Sequence, residues 1–249
     1  MLVPIRDFNA RVRLPLATLA IVLVNTVVYL VAHVLLADAL PELLPRAGAI
    51  PLEITTLRDL PPADLVPPPL TILTSMFLHG GFLHLLGNMW FLWVFGDNLE
   101  DRMGPGRFVA FYLVTGVVGA IAQCLLMPAS PVPMVGASGA VAGVLGGYLL
   151  LFPRAKVVSW AVLSFVAIPA WVFLGLWFLG QLLLGEGSGI AWMAHVGGFL
   201  AGVGLVRLFI AGRSLRADPE YGPPPPAEDR RASPSSPTTP SSTRSGAGA

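Results

Sequence analysis

Apolar and polar positions in this chain fall into long apolar blocks parted by short stretches rich in charge, Pro or Gly. A helix that crosses a hydrocarbon layer needs about 20 mostly apolar residues, and six blocks approach that length. They run from about Leu14 to Leu36, Leu70 to Phe95, Phe108 to Leu126, Gly136 to Phe152, Val157 to Leu184 and Ile190 to Ile210. The fourth is short, and the fifth contains Pro169. The first is too long for the apolar core of a cleaved signal peptide and lacks a convincing cleavage site, so it reads as a retained anchor. The pattern predicts an all-α polytopic membrane protein, a bundle of six transmembrane helices.

The charges between the blocks set an orientation. Of the fifteen Lys and Arg, all but Arg46 and Arg58 fall on one side of the six spans. Positive charge stays cytoplasmic, so both termini are expected inside. The expected organisation is a cytoplasmic N-terminus over residues 1–13, a membrane domain over 14–212 and a cytoplasmic tail over 213–249. The domain includes a Pro-rich outer loop over about 37–69, expected to be partly ordered. Further outer connections are expected over about Met127 to Val135 and Gly185 to Gly189. The tail holds four consecutive prolines from Pro223 and then runs of Ser, Thr and Pro. It has little to bury and is expected to be disordered.

Composition agrees with the pattern and removes other classes. Charged residues make up 12% of the chain and hydrophobic ones 55%, and the mean hydropathy is +0.73. A soluble domain carries about 25% charged residues, so this chain cannot cover a water-facing surface. A net charge of +1, with arginines scattered singly, argues against a nucleic-acid partner. The lone Cys124 cannot form an internal disulfide or a cysteine metal cluster. No metal and no cofactor is expected: HExxH is absent, and no two spans share a pair of aspartates. One Lys against fourteen Arg, with abundant Ala, Gly and Pro, suggests a GC-rich bacterial genome.

Polar side chains at membrane depth are costly and need a partner or a task. His84 and Asn88 in the second block, Ser138 in the fourth and His195 in the sixth stand out. At about 1.5 Å of rise per residue, His84 lies about 20 Å from Asp97, Ser138 about 24 Å from Arg154 and His195 about 18 Å from Arg207. All three therefore fall in one layer, about 6–12 Å below the outer edge of a layer about 30 Å thick. Gly139, Gly143 and Gly147 recur every fourth residue, as do Ala194, Gly198 and Gly202. Small residues at that period let two helices pack closely, which makes a Ser138 to His195 hydrogen bond geometrically reasonable. The stripes would hold two helices together whether or not a site lies beside them.

Gly136-Ala137-Ser138-Gly139 opens a short helix after a loop, with Gly136 and Gly139 permitting a tight turn. Ser138 could be an N-cap and nothing more. Its alternative is a nucleophile, with His195 as the base that takes its proton. No Asp or Glu lies at that depth, so the pair would be a dyad. The Ser138 N–H, the Asn88 amide and the His84 ring are candidate oxyanion donors, and Asn88 could equally make an interhelical hydrogen bond. His33 and His79 read as structural, with His79 nearer the outer interface. Ser159 and Ser164 read as helix-packing hydroxyls in the fifth span.

Taken together, His84-Leu-Leu-Gly-Asn88, Glu100-Asp-Arg102-Met-Gly104-Pro-Gly106, Gly136-Ala-Ser138-Gly139 and Ala194-His195-Val-Gly-Gly198 with Gly202 resemble the rhomboid family of intramembrane serine proteases. The resemblance extends from about Thr71 to Ile210. It implies a six-helix bundle that hydrolyses peptide bonds of membrane-protein substrates near the outer face of the bilayer. Ser138 would be the nucleophile and His195 the base and acid. His84, Asn88 and the Ser138 amide would form the oxyanion hole, and Gly136 would shape the turn. Glu100 and Arg102 would be structural, tying down the inner loop. The fifth span, with Trp171 and Trp177, resembles the element thought to admit substrate sideways. Substrates would carry a helix-destabilised transmembrane segment with small residues. The expected location is a bacterial inner (plasma) membrane. Two departures stand out. Some relatives stack an aromatic residue on the histidine from one turn after the serine, where this chain has Ala142, and the first outer loop lacks a Trp-Arg pair. Two other classes are a catalytically silent rhomboid-like protein that binds membrane clients, and a small transporter using the His and Ser groups as a proton relay. The transporter predicts inverted repeats or charge at mid-depth, and neither is visible.

Overall fold

A computed structural model describes residues 2–9, 13–161, 164–184 and 191–212. The expected outer turn Gly185 to Gly189 and the tail 213–249 lie outside the described residues. Six helices fall on the six apolar blocks. They are α1 (Leu16–Leu30, continued by a π turn Val31–Leu35), α5 (Phe82–Met103), α6 (Pro105–Leu126), α7 (Ser138–Leu151), α8 (Ala170–Leu184) and α9 (Trp192–Ile210). Three shorter helices, α2 (Leu40–Ala47), α3 (Pro51–Thr56) and α4 (Pro68–Ser75), lie between α1 and α5. Among the described residues, the helices over Leu16–Leu35, Pro105–Leu126 and Trp192–Ile210 are long and apolar enough to cross a membrane, while α7 and α8 are apolar but shorter.

The chain is mostly helical and not all-α. Leu2–Asp7 (β1), Lys156–Ala161 (β2) and Ser164–Pro169 (β3) form an antiparallel sheet in the order β1-β2-β3. Leu2 lies opposite Ala161 and Asp7 opposite Val157, while Lys156 lies opposite Pro169. The fifth span was expected as a helix from Val157, but helix begins only at Ala170. Local preference favours strand over helix here, and the pairing with Leu2–Asp7 completes it. Val157, Val158, Val166 and Ile168 are β-branched and lose χ1 freedom in a helix, and Pro169 lacks an N–H for a helix interior. Ser159 and Ser164, expected on a helix, are strand residues, and Ser159 is fully buried. The Trp90 indole N–H donates to the Pro4 carbonyl at 2.5 Å, tying β1 to α5.

α7 is the axis of the bundle. Every residue from Gly139 to Tyr148 is buried, and α6 and α9 pack along it. A helix apolar on all sides belongs in a core, not on a surface. Around it lie Phe95, Phe108, Phe111, Tyr112 and Leu174, all fully buried. Large apolar side chains also point outward, among them Leu83, Leu125, Leu183, Leu200 and Leu208, as expected where the surroundings are lipid.

Buried polar groups tie the ends together. α1 begins after Pro15 with no side-chain cap of its own, and the Glu100 carboxylate supplies one. It accepts from Ala17 N–H at 2.9 Å, Thr18 N–H at 2.8 Å and the Thr18 hydroxyl at 2.9 Å. An anion at a helix N-terminus also meets the positive end of the helix dipole. The Arg102 guanidinium lies 5.4 Å from the centre of the Phe152 ring. Gly104 adopts a positive φ of 75° where α5 turns into α6. At the far end of α9, Arg107 donates to the Phe209 carbonyl at 3.2 Å and the Ala211 carbonyl at 2.9 Å. Asp7 accepts from the Tyr148 hydroxyl and from the Asn98 amide at 2.9 Å, and burial pushes its carboxyl above the ordinary range.

Candidate active site

Ser138 is the first residue of α7, and the residue before it, Ala137, stands in the N-cap position. The hydroxyl therefore does not occupy the capping position. It lies instead 2.8 Å from Nε2 of His195 on α9. That contact exists because the two helices touch backbone to backbone. A Cβ at Gly198 would collide with the Gly139 carbonyl oxygen, one at Gly202 with the Gly143 carbonyl oxygen, and one at Gly146 with the Phe199 carbonyl oxygen. The third close approach thus comes from Gly146. Gly147, expected in that stripe, faces Leu99, Phe111 and Val206. Gly139, expected to shape the turn before Ser138, lies within α7 and faces the Ala194 carbonyl. α9 is also anchored from α6: the buried Gln123 amide oxygen accepts the Met193 N–H at 3.0 Å, two residues before His195.

The turn before Ser138 rests on Gly136. Its φ of +118° is a conformation L side chains rarely adopt. Space makes the same demand, because a Cβ there would sit 2.6 Å from Cε1 and Nε2 of His84 and 3.5 Å from Nδ2 of Asn88. His84 and Asn88 are therefore turned toward the strand of chain that leads into Ser138, as their i, i+4 spacing on α5 allows. The Gly136 N–H donates to the Ser75 carbonyl at 2.8 Å, which fixes the turn against α4. Asn88 is 7% exposed, and its Nδ2 is buried without a hydrogen-bond partner among the described residues. An unmet amide donor beside a nucleophile candidate is chemically suggestive, since leaving such a group buried costs about 1–3 kcal/mol. His84 is exposed, and Ser138 and His195 are partly so, which leaves the group accessible from one side.

Two features escaped the sequence reading. His79, expected near the outer interface, is 1% exposed, and its ring stands edge-on to His84 at 5.2 Å. Gln181 of α8 brings its side-chain oxygen within 2.6 Å of Nδ1 of His195. Trp177, one turn earlier on α8, lies with its ring centre 6.3 Å from the imidazole. The packing that Ala142 cannot supply from α7 thus comes from α8. The only sequence signal was a single amide in an apolar block, with nothing to indicate which helix it faced. His33 stacks on Tyr29 at 3.9 Å.

Comparison with known proteins gives this geometry a context. The Rhomboid domain family model matches residues 69–212. "RHOMBOID-like protein 5" of Arabidopsis thaliana is 34% identical over 151 residues, covering 61% of this chain and 45% of that protein. "Rhomboid protein 1, mitochondrial" of Saccharomyces cerevisiae is 34% identical over 151 residues, covering 56% of this chain and 42% of that one. "Rhomboid protease GluP" of Bacillus subtilis is 44% identical over 78 residues, covering 31% of this chain and 15% of that protein. The chain spans less than half the length of these relatives.

Proposed function

Because this chain belongs to the rhomboid family and is an integral membrane protein, we propose that it is a serine-type intramembrane endopeptidase with Ser138 and His195 as its catalytic dyad. The observation that carries the reading is the 2.8 Å approach of the Ser138 hydroxyl to His195 Nε2, from helices held in backbone contact by glycine. In the mechanism, His195 takes the hydroxyl proton as Ser138 Oγ attacks a substrate carbonyl carbon. The oxyanion accepts hydrogen bonds from Asn88 Nδ2, the His84 ring and the Ser138 N–H. His195 then passes the proton to the leaving amine, which departs as the peptide C–N bond breaks. Water, deprotonated by the same imidazole, hydrolyses the acyl-enzyme and frees Ser138. The unmet Asn88 donor and the accessible His84 support this assignment.

The membrane arrangement belongs to the same proposal. α1 and α5 to α9 span the bilayer with both termini cytoplasmic, residues 14–212 form the membrane domain, and cleavage occurs toward the outer face. α7 has 14 residues and at about 1.5 Å per residue is about 21 Å long, short of a layer about 30 Å thick. Its N-terminus therefore begins below the outer surface. Substrates are membrane proteins whose transmembrane segment unwinds readily, because a peptide bond inside an intact helix is shielded from attack. We assign the protein to a bacterial plasma membrane on its Arg-rich, Lys-poor composition, with regulated proteolysis as its task.

Ser138→Ala should abolish cleavage of a reporter transmembrane segment in membranes while expression is retained. A fluorophosphonate probe should label the wild type and neither Ser138→Ala nor His195→Ala. Equal cleavage by the Ser138→Ala protein would overturn the proposal, and a wild type that neither cleaves nor labels would leave the silent, client-binding alternative.

A further inference from the structure

An imidazole that accepts a proton at Nε2 must carry its own hydrogen at Nδ1, and something has to hold it there. In hydrolases with a triad, a carboxylate does so. Among the described residues, no Asp or Glu is bonded to His195. Its Nδ1 lies 2.6 Å from Gln181 Oε1, and the other end of that amide, Nε2, points to the Trp177 carbonyl at 3.5 Å. A carbonyl oxygen can only accept, so the Trp177 contact identifies the NH₂ end of the amide and turns the oxygen toward the histidine. An amide oxygen likewise only accepts, so Nδ1 must be the donor. Nε2 then presents a lone pair to the Ser138 hydroxyl at 2.8 Å. The opposite tautomer would set a lone pair against the amide oxygen, losing that bond, and would make Nε2 a donor to the Ser138 hydroxyl where the reaction needs an acceptor.

We propose that Gln181 is a positioning residue that holds His195 in its Nδ1–H tautomer and so directs the proton-accepting nitrogen at Ser138. The inference rests on the dyad reading above and deepens it: three helices, α7, α8 and α9, each contribute one member of a hydrogen-bonded row. A neutral amide suits the setting. It orients the ring as a carboxylate would, without the cost of a buried charge. It cannot stabilise the imidazolium by charge, so its contribution is orientation alone. Partners that orient a metal-ligating histidine from behind are worth about 10-fold to 100-fold in activity, and an effect of the same order is expected of Gln181.

The test uses the full chain in lipid nanodiscs with ring-¹⁵N-labelled histidine, His195 being assigned by loss of its signals in His195→Ala. Near neutral pH the wild type should show a protonated Nδ1 and an unprotonated Nε2. Gln181→Leu should shift His195 toward the Nε2–H form, and Gln181→Glu, which retains an acceptor, should restore Nδ1–H. In parallel, Gln181→Leu should lower kcat on a reporter segment by about 10-fold to 100-fold with KM little changed, and Gln181→Glu should recover part of it. A wild-type His195 protonated at Nε2, or a tautomer indifferent to Gln181→Leu, overturns the proposal. The wild-type spectrum decides even if a variant fails to fold. Because the tautomer is read without any cleavage, a protein that shows it but neither cleaves nor labels would refute the protease reading alone.

Discussion

Asn88 and Gly136 show how much of this site is decided by single residues. Asn88 lies on a buried face of α5 with an amide donor that has no hydrogen-bond partner among the described residues. In the proposed reaction that donor acquires its partner only when charge develops on the substrate oxygen, so its contribution should fall on the chemical step. Asn88→Ala should therefore lower kcat by about 10²-fold to 10³-fold with little change in KM; a change confined to KM would assign the residue to packing or binding. Gly136 combines two local demands, a backbone at φ +118° and a Cβ-free surface for His84. A glycine at this place is visible in the sequence, and so is its neighbour Ser138. Gln181 is the counterexample. Nothing within its own block distinguishes it from an amide packed against another helix, because its meaning depends on His195, fourteen residues on and on a different helix.

At the scale of elements, the helix pair α7 and α9 is set by residues that lack side chains. The fourfold spacing of Gly139, Gly143, Gly198 and Gly202 is legible in the chain and finds a physical use in carbonyl-to-backbone contacts. Gly198→Ala and Gly202→Ala should each destabilise the fold by about 1–3 kcal/mol, the usual cost of forcing extra volume into a packed core. Fluorophosphonate labelling should fall with stability as the histidine moves off the serine. Gly204, on the same helix with nothing within 4 Å of an added Cβ, is the control. Gly204→Ala should be neutral or slightly stabilising in thermal unfolding, since alanine favours helix. The pairing of Gly146 with Phe199, in place of Gly147, was not legible: one residue's rotation about a helix axis follows from the crossing geometry, which spacing alone does not specify. The sheet is a further case. Residues 157–169 are apolar enough to resemble the start of a membrane helix, but β2 pairs with Leu2–Asp7, a segment with no apolar block of its own, and β3 pairs with β2.

Across the whole molecule, the loops at the Ser138 end are stitched to one another. Ala49 and Met134 exchange backbone hydrogen bonds at 2.9 and 2.8 Å, and Leu52 N–H donates to the Ser130 carbonyl at 3.1 Å. In the same region burial, reinforced by the charges of Glu53 and Asp59 and opposed by Arg46, pushes the Asp64 carboxyl from 3.8 up to about 6. A carboxyl raised in this way favours the folded loop while protonated. That contribution is complete below about pH 4 and is lost as pH rises through about 6. Amides of residues 57–67 should accordingly be better protected at pH 5 than at pH 7.5, after correction for intrinsic exchange, and Asp64→Asn should remove the difference. Read alone, the chain reveals its apolar blocks, its small-residue seams and the peptide motifs around Ser138 and His195, because each is a matter of composition or spacing over a few neighbouring positions. Which nitrogen of His195 meets the serine, the amide behind it, the burial of His79 and the pairing of strands 156–161 and 164–169 depend on groups brought together from distant parts of the chain. Such contacts follow from how helices cross and strands pair in three dimensions, and no local pattern encodes them.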